Sequence, residues 1–534
     1  MLGPEIRFPR VAMLTRRKLP IGIQTFREIR EEGYYYVDKT GHALALIEQG
    51  KYFFLSRPRR FGKSLFLDTL KELFEGNEAL FRGLSAHDRW DWSVKFPVLR
   101  FSFSDGVARN RADLDLRIQD QLRQHRERLG ISCPDTEDVV GCFAELIRQA
   151  RRRFAQRVVV LIDEYDKPIL DNITDPEIAL EMREGLKNLY SVIKGADADI
   201  RFAFLTGVSK FSKVSLFSGL NNLQDITVDR RYSAICGYTD KDVDTVFAPE
   251  LDGLNREEIR RWYNGYNWLG ESVYNPFDLL LLFSNREFKP WWFETGTPTF
   301  LVKLLIERQA FAPDLQHLHT SGTLLSTFDV GDLPTEALMF QAGYLTIAGS
   351  ETIGAEQFVT LRYPNLEVQQ GLTAALLGSL GKNASAEVVQ RHRLYKLLQA
   401  NDLSGLRDLF HAFYASIPHD WYRKNQLAGY EGYYASIFYC YFAALGLDVT
   451  VEDSTNHGRI DMTVRVNGRI YLFEFKVVEM TPEGQAIAQL KAKGYAEKYR
   501  LLNQPITLIG VEFSRETRNI VGFELEAGLE GCPG

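Results

Sequence analysis

The sequence predicts an α/β fold in three parts: a parallel sheet built around a phosphate-binding loop, a helical connector, and a second α/β domain at the C-terminal end. Three observations carry this. Residues 52–73 run strand, loop, Gly62-Lys63-Ser64, then apolar residues at helical spacing. Residues 157–164, Arg-Val-Val-Val-Leu-Ile-Asp-Glu, form an apolar run ending in two carboxylates, the pattern of a parallel strand buried on both faces. Residues 458–476 place two alternating runs on either side of Asn467-Gly468, the strongest short-range hairpin signal.

Composition bounds the rest. The chain has 534 residues, room for roughly two to four domains. Its apolar and charged fractions are those of an ordinary globular protein. The net charge is −6, so any nucleic-acid surface is a local patch. The five cysteines, Cys133, Cys142, Cys236, Cys440 and Cys532, contain no C-x-x-C pair, which argues against a zinc site or a disulfide framework and fits a reducing cytoplasm. No apolar run reaches membrane-spanning length, and the basic N-terminal residues precede no apolar core of a secretory signal. The expected divisions are a tail over 1–17, a first domain over 18–240, the connector over 241–405 and the last domain over 406–534.

In chain order, Tyr34-Tyr35-Tyr36-Val37-Asp38-Lys39-Thr40 reads either as core aromatics or as a segment packed beside a nucleotide base. Tyr52–Leu55 is a short buried strand, and Leu65, Phe66, Leu70 and Leu73 mark the helix after the loop. Loop amides and the helix N-terminus would face a phosphate. Lys63 would reach the β- and γ-phosphates of ATP, and the Ser64 hydroxyl would ligate Mg²⁺. Arg57 stands where such a loop usually has its first glycine, and a Gly-Lys-Ser triplet also begins ordinary helices.

Pro97–Phe103 is a second strand, followed by helical patterns over 112–129 and 136–155. At the end of the 157–164 strand, where open α/β sheets bind ligands, Asp163 is the candidate metal carboxylate and Glu164 the candidate that polarises attacking water. The plainer reading is a solvated acidic turn. Ile200–Leu205 is another strand, and Thr206 at its tip is a candidate sensor of the γ-phosphate. Arg230-Arg231 could act as an arginine finger, within the chain or from a neighbour in a homo-oligomer, against the plainer reading of two solvated arginines. The aromatic run Trp262-Tyr263-Asn264-Gly265-Tyr266 belongs to a helical stretch packed on the sheet, more readily as core than as a stacking platform.

From about residue 406 the character changes. A helix opens at Tyr430-Glu431, and Leu447–Glu452 reads as a strand. If Asn467-Gly468 are the two turn residues, Val466 faces Arg469, Arg465 faces Ile470, and further out Asp461 faces Glu474. Directly opposed carboxylates repel, so a divalent cation between them would give the pair a purpose. Lys476 falls on the same face as Glu474. Two acids and a lysine are the parts of a metal-dependent phosphodiesterase, with Mg²⁺ or Mn²⁺ on the acids; the plainer reading is a hairpin with a charged edge.

Two resemblances follow from these residues. Leu19–Gly22, Tyr35–Thr40, Arg57–Ser64, Leu161–Pro168, Thr206–Ser212 and Trp262–Tyr266 resemble the bacterial AAA-ATPase-like family, in which arginine commonly stands at the position of Arg57. The resemblance implies a nucleotide cradle from Arg59, Arg60, Phe61, Gly62, Lys63, Ser64 and Leu65. The C-terminal part resembles the PD-(D/E)xK nuclease superfamily, which implies a restriction-endonuclease-like domain. Asp461 matches the first acid, Glu474-Phe475-Lys476 the E-x-K, Glu431 a helical glutamate of many members, and Gln489 with Tyr495 the helix that often follows. Together they imply a nucleotide-regulated endonuclease, with DNA ahead of RNA as its partner and, by analogy alone, a place in mobile-element or phage conflict. The alternatives are a nucleotide switch whose nuclease-like domain binds without cleaving, and a signalling protein with no nucleic-acid partner.

Overall fold

The computed structural model describes residues 16–132, 137–210, 222–296, 334–380, 384–416 and 431–527, with parts of 301–326. The expected tail up to residue 15, Cys133, Phe211-Ser212, Tyr430 and Cys532 lie outside the described residues. The chain forms two compact units, one from residues up to 291 with 320–359, the other from 292–319 with residues from 360 on.

The first unit holds a sheet of Tyr52–Ser56 (β1), Val98–Ser102 (β2), Val158–Asp163 (β3), Ile200–Gly207 (β4) and Gln224–Asp225 (β5), in the order β2-β3-β4-β1-β5. Every pairing is parallel. All residues of β1 and β3 are buried, as strands covered on both faces require. The two strands named from their apolar runs are therefore not neighbours: β4 lies between them, and Thr206 pairs with Leu55 of β1. Helices Lys63–Phe74, Arg111–Leu129, Val139–Phe154 and Pro176–Gly195 connect the strands. Three of them start on side-chain caps, Asn110, Asp138 and Asp175, each accepting from a first-turn amide.

A second core in this unit joins Tyr35 and Val37 to Val243, Phe247, Ile259, Tyr263, Tyr274 and Leu279. The tyrosine-rich segment before β1 is thus core, with the Tyr35 hydroxyl on Glu250 Oε1 at 3.0 Å. Tyr263 and Tyr266 are also buried, as the core reading of the aromatic run expected.

The second unit holds Asp448–Thr455 (β6), Gly458–Val466 (β7), Arg469–Val478 (β8), Ile506–Ser514 (β9) and Ile520–Ala527 (β10) in one sheet, in sequence order across it. Only β8 and β9 pair in parallel. The β7–β8 turn is Asn467-Gly468, with φ of 52° and 71°, the left-handed pair that a two-residue hairpin loop needs. Helix Glu431–Ala444 packs Tyr434 on Phe513 and Phe438 on Phe475. Helix Gln485–Ala492 sets Ile487 and Leu490 against Ile470, Leu472 and Leu508. Among the described residues, no helix is long and apolar enough to cross a membrane.

Candidate active sites

The first site lies at the C-terminal ends of β1, β3 and β4, where open parallel sheets present their loops. After β1 the chain turns through Arg60 (φ 68°) and Gly62 (φ 91°) before the helix begins at Lys63. Gly62 is needed for its backbone alone, since nothing lies within 4 Å of where a Cβ would sit. Left-handed residues among right-handed ones turn successive amides toward one concavity, which favours an anion. Phe61 anchors the loop from beneath: it is buried, its ring meets Tyr266 at 4.7 Å, and its carbonyl accepts from Gly237 N at 3.1 Å. Arg60 lies over the Phe277 ring at 4.8 Å, while the Arg59 side chain is exposed. Ser64 and Leu65 occupy the first turn.

Lys63 is buried, and its Nζ donates to the carbonyls of Arg57 and Pro58, both at 2.9 Å. Burial lowers its pKa against the pull of Asp163 and Glu164. Arg57 is wholly buried in place of the loop's usual first glycine. Its guanidinium donates to the carbonyls of Ser56, Thr227 and Tyr232 at 2.8–2.9 Å and stacks over Trp268 at 3.9 Å. It therefore ties the loop to later segments of the chain.

Asp163 and Thr206 meet: Thr206 Oγ1 donates to Asp163 Oδ1 at 2.8 Å, and Arg100 Nη2 stands 3.9 Å from Asp163 Oδ2. Arg100 is held in turn by Asp68 at 2.6 Å. Glu164 has a left-handed backbone (φ 51°), and burial raises its pKa against the attraction of Lys63. Arg230 and Arg231 are exposed and engaged locally, the first on Leu269 O at 2.8 Å and the second on Asp229. Within the chain this fits the plainer reading of solvated arginines.

The second site is on the β7–β8 hairpin. The register runs Val466↔Arg469, Arg465↔Ile470, Val464↔Tyr471, Thr463↔Leu472 and Met462↔Phe473. The register ends at Met462↔Phe473 and does not include the expected Asp461–Glu474 pair; instead the Asp461 carboxylate accepts the Phe475 amide at 2.8 Å. Glu474 is completely buried. Its Oε1 takes Gln489 Nε2 and, at 3.3 Å, Lys476 Nζ, while Oε2 has no hydrogen-bond partner among the described residues. Lys476 also reaches Glu431 Oε1 at 3.2 Å and Phe475 O at 2.9 Å.

The electrostatics are those of crowded acids. Burial pushes the Asp461 carboxyl up to about 6, and burial together with the Asp461 charge pushes Glu474 up to about 8. Burial works against the Lys476 ammonium, but Asp461, Glu431 and Glu474 outweigh it and raise its pKa. Among the described residues, no group of three or more His, Cys, Asp and Glu side chains is arranged to hold a metal ion. Glu431 therefore does not complete a three-acid cage, and its carboxylate is turned to Lys476. Asp461 and Glu474 remain a pair of hard oxygen donors. The orphaned, buried Glu474 Oε2 fits a divalent cation that keeps most of its waters.

Two further buried acids belong to the sheet that carries the second site. Glu512, on β9 beside Lys476, accepts the amides of Glu483, Gly484, Gln485 and Ala486 at 2.5–3.3 Å and so caps the helix that carries Gln489. Asp453 is buried against Thr463, Lys498 and Tyr499. An acid inside an apolar run could have flagged Glu512; only the fold supplies its partners.

Comparison with known proteins agrees with this division. Residues 20–217 match the family model described as a predicted AAA-ATPase, and residues 429–523 match the PD-(D/E)XK nuclease superfamily. The chain is 66% identical over 515 residues to an "Uncharacterized protein in vnfD 5'region" of Azotobacter chroococcum mcd 1, across 96% of this chain and 100% of that protein. The chain belongs to the AAA-ATPase-like family, with a domain of the PD-(D/E)XK nuclease superfamily at its C-terminal end.

Proposed function

We propose that this chain is an ATPase joined to a metal-dependent nuclease that cuts DNA under control of the bound nucleotide. The loop 59–65 binds the phosphates, and Lys63 exchanges the carbonyls of Arg57 and Pro58 for phosphate oxygens. Ser64 and Asp163 would hold one Mg²⁺, with Thr206 orienting Asp163. Glu164, its pKa raised and its charge near Lys63, accepts a proton from the attacking water. In the nuclease domain Asp461 and Glu474 would hold Mg²⁺ or Mn²⁺. Lys476, oriented by Glu431 and Glu474, stands ready to place a water and to balance charge on the phosphodiester, and Gln489 fixes Glu474. When bound, the cation supplies positive charge to phosphate oxygens and lowers the pKa of a bound water.

The observation that carries the nuclease reading is the Glu474 carboxylate, fully buried, beside Asp461, with one oxygen unpartnered. Supercoiled plasmid with Mg²⁺ or Mn²⁺ tests it. Wild type nicks or linearises the plasmid, and Asp461→Ala and Lys476→Ala do not, though both still hydrolyse ATP. Cleavage by both variants at the wild-type rate rules the site out. ATP turnover with no cleavage by any form of the protein points instead to the nucleotide switch with a binding-only domain.

A further inference from the structure

The ATPase reading leaves Asp166 unused, although it is the most enclosed carboxylate near the first site, 1% exposed. It sits two residues after Glu164, and its carboxylate is held from the end of β4. The Val208 amide donates to its two oxygens at 3.3 and 3.1 Å. Ser209 donates twice to Oδ2, from the amide at 2.6 Å and from Oγ at 2.5 Å. Tyr165 doubles the clasp: its amide donates to Thr206 O at 3.0 Å and its hydroxyl to Ser209 O at 3.0 Å, while Tyr190 holds its carbonyl at 3.1 Å. Gly207 permits the approach, since a Cβ there would lie 2.4 Å from Asp166 Oδ1 and 2.5 Å from the Tyr165 ring.

The clasp encloses the two candidate reacting elements. On one side is Glu164, whose left-handed backbone is disfavoured for a residue with a Cβ and persists only where its surroundings enforce it. On the other is Thr206, hydrogen-bonded to Asp163. We propose that Asp166 is a positioning residue for ATP hydrolysis: it clamps the end of β4 to the turn after β3, which sets Glu164 and Thr206 in the geometry of attack. Among the described residues its carboxylate hydrogen-bonds neither the loop 57–62 nor Ser64, and it reaches Lys63 through its charge alone, so its work is in turnover more than in capture of the nucleotide. This rests on the ATPase reading above.

The test is steady-state ATP hydrolysis and MgATP binding by the full chain, comparing wild type, Asp166→Asn, Ser209→Ala and Glu164→Gln. Asp166→Asn sets an amide NH₂ against donors that need an acceptor. We expect kcat to fall about tenfold or more with the MgATP Kd within about twofold of wild type. Ser209→Ala removes one donor and lowers kcat by a smaller factor, again without weakening binding. A merely structural role would move kcat and Kd together, along with thermal stability. If Asp166→Asn does not fold, Ser209→Ala decides alone. Wild-type kcat in folded Asp166→Asn and Ser209→Ala, or parallel loss of binding and turnover in them, overturns the inference. A wild-type protein that neither binds nor hydrolyses ATP overturns the ATPase reading, and the inference with it; a wild type that turns over with an inert Glu164→Gln keeps that reading intact whatever Asp166 does.

Discussion

Glu474 is where folding and chemistry oppose one another. A carboxylate with no exposure, beside a second acid, costs free energy when ionised, and here both acids carry raised pKa values, about 6 for Asp461 and about 8 for Glu474. Unfolded carboxyls titrate near about 4. Across the window from there to about 8, the folded protein therefore binds more protons than the unfolded chain, so its metal-free stability falls as pH rises through that window. Lys476 faces the pair and moderates the fall without removing it, while the nearby Glu431 charge adds to it. Melting curves of metal-free protein should show the nuclease-domain transition moving down from about pH 5 to about pH 8, with Mg²⁺ restoring it. Glu474→Gln should flatten the dependence and raise the midpoint near pH 8 by roughly 2–4 °C per kcal/mol relieved. A pH-independent midpoint in the wild type would remove this electrostatic account. At the other site, Lys63→Ala should lose ATP binding or turnover, whereas Glu164→Gln should keep binding and lose turnover, both read by nucleotide binding and phosphate release. Arg57→Ala leaves three carbonyls without their donor and Trp268 without its cation, and should cost about 3 kcal/mol in denaturant unfolding.

At the scale of elements, the legible parts were those whose backbone demands a residue type. Asn467-Gly468 announces its turn, because two consecutive positive φ values select Asn and Gly. Counting outward from it reproduces the observed pairs as far as Met462↔Phe473. The β1 and β3 runs were legible because parallel strands buried on both faces need unbroken apolar stretches. Strand β5 has two residues, too few to carry a period, and in β9 Gly510 and Glu512 interrupt the apolar run. The Glu512 cap was beyond reach for a different reason: its four donors come from a distant loop and helix start that only the sheet brings to it. Removing that acceptor strands helix amides near a buried strand. Glu512→Ala should lower stability by about 1–3 kcal/mol, measured by denaturant unfolding. It should also depress plasmid cleavage by loosening Gln489 from Glu474 while leaving ATP turnover unchanged. Loss of both activities together would mean that the whole chain, and not the Gln489 helix, depends on this cap.

For the whole molecule, the sequence disclosed two α/β assemblies and the residues that converge in each, because phosphate loops and opposed carboxylates constrain short stretches of chain. What it did not disclose is the support around them: the Arg57 tie to Trp268, the Asp166 clasp and the Glu512 cap are contacts between residues far apart in sequence. The central claim joins the two assemblies, since a γ-phosphate can order or release neighbouring segments and so set the state of a linked domain. The direct measurement is the rate of supercoiled plasmid cleavage with Mg²⁺ in ATP, in ADP and without nucleotide, for wild type and for Glu164→Gln. The account predicts nucleotide-dependent rates in the wild type. In Glu164→Gln, ATP should hold cleavage at its ATP-bound level without drift toward the ADP value, and Lys63→Ala should be indifferent to nucleotide. Equal rates in all three conditions for wild type and Glu164→Gln alike would contradict it, leaving a nuclease domain tethered to an ATPase that does not govern it.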